Sequence, residues 1–298
     1  MNALPGSVLV GVTGPGENTE ALRFALDEAR RLDRPVTLVH AVAPAPPPPP
    51  GGVLVTYEES WAELARTIVA DVAGELAELQ AAAGTDVRVA TVVGHGSPGS
   101  LLSELSRDAA RVVLQHQHVH RLVRMVTGST TARVAAHAHC PVVSVPAAEQ
   151  EDDAIPREDL LVVGVHEDGG PREVVRAATA QAALHGWGTR LLHAWRLPGA
   201  YDELLADDEH WRTAALDSLH RVAVRLGAEE EGPTPDARVV HDWAPDALVE
   251  ASRTARMVVV GRHGRRGPLS PRLGSRARAV LAGAHCPVMV VPLAEDEA

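Results

Sequence analysis

No lysine occurs anywhere in the chain; all 28 basic residues are arginine. That absence excludes a Walker loop, which needs Gly-Lys-Ser/Thr, and any Schiff-base lysine. Positive charge is short overall, with 28 basic against 39 acidic residues and a net charge of −11. Such a balance argues against a general nucleic-acid or anionic-membrane surface. No apolar run approaches the roughly 18 residues that a membrane span needs. The N-terminus lacks a basic region and passes straight into a strand-like run, so no secretory signal is expected and the chain is expected to be cytoplasmic. Cysteine is scarce too, at Cys140 and Cys286 alone. Each sits in Ala-His-Cys-Pro-Val ahead of a Val-rich run, the setting of a buried small hydrophobe rather than of a redox pair.

What is present is a repeat. Val8–Thr13 (VLVGVT) matches Leu161–His166 (LVVGVH), and Leu38–Val42 (LVHAV) matches Leu191–Trp195 (LLHAW), both 153 residues on. Gly128-Ser129 matches Gly274-Ser275, and His139-Cys140-Pro141 matches His285-Cys286-Pro287, 146 residues on. The proline run Pro44 to Pro50 in the first copy accounts for the difference as extra loop. A period near 150 in 298 residues means two whole domains, each long enough to bury a core. The expected division is residues 1–148, a polar acidic linker 149–159, and residues 160–298.

Within each copy, strand-like and helix-like segments alternate. In the first, strands are expected at Ser7–Val12, Val36–Val42, Val87–Val93, Arg111–Gln115 and Pro141–Pro146. Asn18 is placed to cap a first helix striped by Leu22, Ala25, Leu26 and Ala29. Trp61, Leu64, Ile68, Val72, Leu76 and Leu79 mark a long amphipathic second helix. Pro98–Ala110 and Gly128–Ala136 read as shorter helices. The second copy repeats this, with strands near Leu160–Val165, Arg190–Trp195, Arg238–His241, Met257–Gly261 and Val288–Val291. Its first helix is striped by Val174, Val175, Ala178 and Ala182, and its long second helix by Trp211, Ala215, Leu219, Val222 and Leu226. Continuous apolar strands separated by helices predict an α/β fold: two doubly wound domains, each a parallel sheet with helices on both faces. Ligands of such sheets bind at the carboxyl ends of the strands where the winding reverses.

One stretch of the second copy is built for such a ligand. Val258–Val260 read as a strand closed by Gly261; Gly264 follows, then nine residues, then Gly274 and Ser275 at the head of a helical run. Glycines after a strand, with Gly-Ser at a helix start, present backbone N–H groups to phosphate oxygens. Glycine suits these places because a Cβ would block close approach and because φ > 0 turns are open to it. Arg262, Arg265, Arg266, Arg272, Arg276 and Arg278 crowd the same stretch in an acidic chain. The stretch is an expected anion site, above all for a nucleotide polyphosphate.

These residues resemble the universal stress protein family in its tandem-domain form, over nearly the whole chain. Gly261, Gly264, Gly274 and Ser275 satisfy that family's G-x2-G-x9-G-(S/T) pattern. The resemblance implies five-stranded sheets of order 3-2-1-4-5 and ATP, or a related adenine nucleotide, held without a P-loop, with Mg²⁺ as the usual companion of the phosphates. It implies a role in stress survival or regulation. It also implies pairing through the last strands, here an intramolecular pseudo-dimer using Val142–Val145 and Val288–Val291, with further homodimerisation open. Carried over by position, Val260, Gly261, Gly264, Gly274, Ser275 and Arg276 would meet ribose and phosphates. Val165, His166 and Ala194 would lie toward base and sugar. Two departures stand out. Thr13 and His166 occupy the place of the family's Asp after the first strand. In the first copy the leading two motif glycines become Gln115 and His118, with only Arg121 and Arg124 in support, so this domain is not expected to hold ATP in the family's manner.

Other chemistries are weaker. His116, His118 and His120 alternate, with His137 and His139 nearby, but no carboxylate stands among them, and a loop of solvated histidines is preferred to a metal site. Ser275 has no nucleophile elbow and no activating pair, so it reads as helix cap and phosphate donor. The Gly94–Gly99 string reads as loop and cap. Trp195 and Trp243 could stack on a base, though core or interface is the commoner place for such rings. The chain thus reads as an adenine-nucleotide-binding regulatory protein. A scaffold acting through protein contacts and a slow ATPase are the alternatives; nothing in the sequence requires turnover.

Overall fold

The repeat folds as two units, Met1–Ala147 and Ala148–Ala298. The computed structural model describes residues 3–42, 57–116, 130–147, 156–166, 171–196, 209–229, 233–262 and 273–293. The first unit runs β1 (Val8–Gly11), α1 (Thr19–Leu32), β2 (Val36–Val42), α2 (Tyr57–Ala83), β3 (Val89–His95), α3 (Pro98–Leu105), β4 (Arg111–His116), α4 (Thr130–His137) and β5 (Val142–Pro146). The second runs β6 (Glu158–Gly164), α5 (Arg172–His185), β7 (Gly188–Trp195), α6 (Glu209–Glu229), β8 (Asp236–His241), α7 (Ala244–Ala251), β9 (Ala255–Gly261), α8 (Ser275–Gly283) and β10 (Val288–Val291).

Strand order is β3-β2-β1-β4-β5 in the first unit and β8-β7-β6-β9-β10 in the second, the same order by position. Neighbouring strands within each unit are parallel. This is the expected α/β doubly wound fold. Central strands with apolar residues in succession, such as Val8-Leu9-Val10 and Val112-Val113, are buried on both faces because helices cover each side. The winding reverses between β1 and β4, and between β6 and β9, which opens a crevice at their carboxyl ends.

The stripes of α1 and α5 are buried as their spacing predicts: Leu22, Ala25, Leu26 and Ala29 in one, Val174, Val175, Ala178 and Ala182 in the other. The stripe of α2 is the expected one in its second half, with Val72 and Leu76 buried and Ile68 and Leu79 half-buried, but not in its first turns. Ala65, Val69, Val72 and Leu76 face the core, whereas Trp61 and Leu64 are 46% and 49% exposed. The buried set keeps 4-3-4 spacing and starts with alanine, whose small side chain lets the helix lie close. Large size misled the sequence reading here. In α6, Leu219, Val222 and Ala223 are buried, and Ala215 is half-buried.

The helix expected over Pro98–Ala110 stops at Leu105, and a 3-10 turn over Ser106–Asp108 follows. The buried Ser106 hydroxyl donates to the Ser103 carbonyl and accepts the His139 N–H at 2.9 Å. Its repeat partner Ser252 makes the same pair of bonds, to Val249 and His285. These bonds fix the Ala-His-Cys-Pro segments. Cys140 and Cys286 are buried free thiols, each pushed up to about 12 by burial.

One buried ion pair interrupts the repeat. Glu28 of α1, fully buried, meets Arg111 at the head of β4. Burial lowers the Arg111 guanidinium to about 10, so it stays charged at neutral pH. The positional counterparts in the second unit are Gln181 and Met257, both buried and uncharged.

Candidate functional site

The second unit brings its sequence-predicted residues to one end of its sheet. Parallel pairing sets Val259 beside Val163 and Gly164 beside Leu192, so Val165, Ala194 and Gly261 lie at the carboxyl ends of three adjacent strands. Val260 is buried beneath them, and His166 is exposed at the edge. The Gly274 N–H donates to the Arg262 carbonyl at 2.9 Å, which holds the head of α8 beside the end of β9. Gly264 lies outside the described residues.

Two details differ from expectation. The N-cap of α8 is Gly274, and Ser275 is its first helical residue, exposed beside Arg276. Ser275 is therefore not the cap. A glycine N-cap offers no side-chain acceptor, so the leading N–H groups of α8 have no capping side chain. Neither Gly261 nor Gly274 uses a left-handed backbone: Gly261 is the last residue of a strand and Gly274 has φ −61°. Their contribution is the missing side chain alone.

The first unit shows the same crevice with different chemistry. A cavity of about 330 Å³ lies at the carboxyl ends of β1, β2 and β4. Its apolar wall includes Val12, Val39, Ala41, Leu102 and Leu114, and its polar side Thr13, Glu17, Asn18, His40, Gln115 and Thr131. Val12, Thr13, Ala41, Leu114, Gln115 and Thr130, all on this lining, are the counterparts of Val165, His166, Ala194, Val260, Gly261 and Arg276. Gly11 forms the floor: a Cβ there would lie 2.5 Å from Leu114 Cδ2 and 3.0 Å from Leu102 Cδ1. Gly164 repeats this close approach against Leu248 and Val260.

Asn18 occupies the N-cap position of α1 but makes no capping bond. Its Oδ1 accepts instead from the Thr13 N–H at 2.9 Å and the Thr13 hydroxyl at 3.1 Å. The orphan N–H of Ala21 donates to Gln115 Oε1 at 3.0 Å. The residue that replaces the first motif glycine has become a long-range cap for α1, which turns its side chain to structural use.

Sequence reasoning missed a pair of histidines. His40 Nδ1 lies 2.9 Å from the Val12 carbonyl, and His193 Nδ1 lies 3.2 Å from the Val165 carbonyl. A carbonyl only accepts, so Nδ1 carries the proton and Nε2 is left as an acceptor. The signal was present, since the two histidines recur 153 residues apart at the ends of matching strands.

Of the expected histidine group, His118 and His120 lie outside the described residues, and His137 Nδ1 donates to the Arg133 carbonyl. Among the described residues no group of three metal-ligating side chains is found. Ser97 caps α3 through the Ser100 N–H. Trp195 packs against His241 with ring centroids 4.5 Å apart, and its indole N–H is enclosed without a hydrogen-bond partner. Trp243 is 56% exposed, with the Arg196 guanidinium 5.5 Å from its ring, so it does not belong to the core. Among the described residues no helix is long and apolar enough to cross a membrane.

Comparison with known proteins gives consistent likenesses. The model of the universal stress protein family matches residues 6–146 and 159–292. A universal stress protein of Mycolicibacterium smegmatis is 32% identical over 298 residues, covering 95% of this chain and 96% of that one. Universal stress protein Rv2005c of Mycobacterium tuberculosis is 32% identical over 304 residues, with 95% and 96% covered. The crystal structure of a universal stress protein from Archaeoglobus fulgidus superposes with a TM-score of 0.67 at 15% identity, covering 98% of both chains. That last likeness is one of fold.

Proposed function

The chain belongs to the universal stress protein family, and from that premise we propose that its second unit binds an adenine nucleotide, ATP foremost, as a regulatory ligand. The observation that carries this reading is the head of α8. Gly274 leaves the leading N–H groups without a side-chain cap, and its own N–H ties the helix to the end of β9. Helix N-termini of this kind favour anions through their N–H donors and their positive partial charge. Gly261 keeps the adjoining strand end bare, and the exposed Arg276 stands ready to neutralise phosphate charge. Val165 and Ala194, with the Nε2 of His193, offer the base and sugar a mixed apolar and accepting surface. A divalent cation would arrive on the phosphates.

Among the described residues no general base for water is identified, and the reading is of a ligand that acts as a signal, with turnover outside the proposal. The test is calorimetry with ATP, ADP and AMP on the wild type and on Gly261→Val. The branched side chain would stand where main chain should meet phosphate, and a loss of at least about tenfold, roughly 1.4 kcal/mol, is expected. Absence of binding in the wild type would hand the function to the scaffold reading.

A further inference from the structure

We propose that the loop joining β1 to α1 in the first unit is a strap across the cavity, latched to α2 by Glu75, and that release of this latch sets how fast a small molecule enters. The proposal stands apart from the nucleotide reading of the second unit, because it concerns access and assigns no ligand.

Most of the cavity wall is fixed. Gly11, Val39, His40, Ala41, Leu114 and Gln115 belong to β1, β2 and β4, which parallel ladders hold together. Leu102 and Thr131 stand on α3 and α4. The Val12 N–H donates to the Val39 carbonyl, which ties that residue to β2. Among the described lining residues, Thr13, Glu17 and Asn18 come from the loop between β1 and α1. That loop is the wall with freedom to move.

Two sets of bonds act on it. Inside the loop, Asn18 Oδ1 accepts from the N–H and hydroxyl of Thr13, and the Glu17 N–H donates to the Gly14 carbonyl. These keep its shape. Outside it, the Glu75 carboxylate accepts from the Gly16 N–H at 2.9 Å and from the Thr19 hydroxyl at the head of α1. Among the described residues, Glu75 is the only hydrogen-bond partner of residues 13–17 that lies beyond the loop and α1. Bonds to a carboxylate are stronger than neutral ones. Glu75 is half-buried, however, and Gly16 is exposed, so water competes for both groups. Exposed hydrogen bonds of this kind open locally well before the whole fold does. Gly16 supplies a pivot, with φ at 75° and nothing within 4 Å of where a Cβ would stand. The head of α1 is anchored separately, because the Ala21 N–H donates to Gln115 Oε1. Loss of the Glu75 bonds therefore frees the loop and leaves the helix in place.

The second unit does not carry the pair. Ala65, Val69 and Val72 of α2 answer to Ala215, Leu219 and Val222 of α6, 150 residues on, and in that register Glu75 becomes Arg225. Thr19 becomes Arg172. Two guanidinium groups only donate, so this bond cannot form between them.

The experiment measures entry with iodoacetamide. The full chain carries Cys140→Ala and Cys286→Ala, with Thr131→Cys as its single thiol, placed on the cavity wall where the native residue is 7% exposed. Adding Glu75→Ala should speed alkylation at least tenfold. Thr19→Val, which leaves the Gly16 bond, should speed it a few fold. A thiol placed instead at the exposed Ala81 of α2 should react at one rate with and without Glu75. Hydrogen exchange on Glu75→Ala alone gives a second reading free of the engineered thiol. The Gly16 amide should exchange at least tenfold faster, with the β1 and β4 amides unchanged. Equal alkylation with and without Glu75, or a Gly16 amide indifferent to the substitution, would overturn the proposal. So would faster alkylation matched by faster exchange in β1 and β4, which marks opening of the whole unit and a merely structural Glu75.

Discussion

Replacing Glu28 by alanine should be among the most damaging single changes in the first unit. The carboxylate is fully buried against Arg111, whose guanidinium stays charged at neutral pH even though burial lowers it to about 10. Removing the acid strands that charge in the core, where breaking one partner of a buried pair costs about 3–5 kcal/mol. In a unit of this size each kcal/mol moves the melting temperature by about 2–4 °C, so a fall of roughly 6–20 °C is expected. The repeat supplies the control. The double variant Glu28→Gln, Arg111→Met copies Gln181 and Met257, which occupy the same places uncharged. It should recover most or all of the loss, because exchanging a whole buried pair for a neutral set is often neutral or stabilising. Hydrogen exchange of the β1 and β4 amides reads the stability of the first unit by itself. A loss below about 1 kcal/mol for Glu28→Ala would mean the pair behaves as a surface contact. A double variant as weak as the single would mean that the shape of the pair, not its charge, holds the core.

Two further perturbations follow from the core and the cavity. Each thiol is raised by burial from its ordinary value of 9.0 to about 12. Below pH 9 both states keep the proton; between pH 9 and about 12 the unfolded chain loses it first, so stability falls as pH rises, by up to about 1.4 kcal/mol per pH unit for each cysteine. Denaturant titrations from pH 8 to 11 should show a shallower decline in the double variant Cys140→Ala, Cys286→Ala, and an identical decline would refute the attribution. Gly11→Ala should destabilise the first unit by about 1–3 kcal/mol through overpacking, since the new Cβ meets Leu114 and Leu102. A variant that melts like the wild type would show the floor to be free to move.

The parts of this structure legible in the sequence are those set by local period. Strands with apolar residues in succession read correctly because helices bury them on both faces, and the stripes of α1 and α5 because burial on one helix face repeats every 3.6 residues. In α2 the reading chose Trp61 and Leu64 by size, and the packing chose Ala65 and Val69 by fit. The Asn18 cap failed for a different reason: Gln115, 94 residues away, took the orphan donor. No local rule sees a partner at that distance. Glu28 left a trace, since it sits within the apolar stripe of α1 between Ala25 and Ala29 and its counterpart is an uncharged Gln181. For the crevice of the first unit the sequence reading went no further than expecting no ATP in the family's manner, because the leading motif glycines are replaced. Its walls come instead from Gly11, Val12, Leu102 and Leu114, which the loop motif does not govern.

The central claim, that main-chain amides at the head of α8 hold a phosphate tail, is tested most directly by amide resonances during an ATP titration. The account predicts that Ser275, Arg276 and Ala277 show the largest downfield shifts, that adenosine leaves them nearly unmoved, and that Gly261→Val suppresses the response. Saturable ATP binding with those three amides unmoved, or with its largest shifts confined to the first unit, would contradict it.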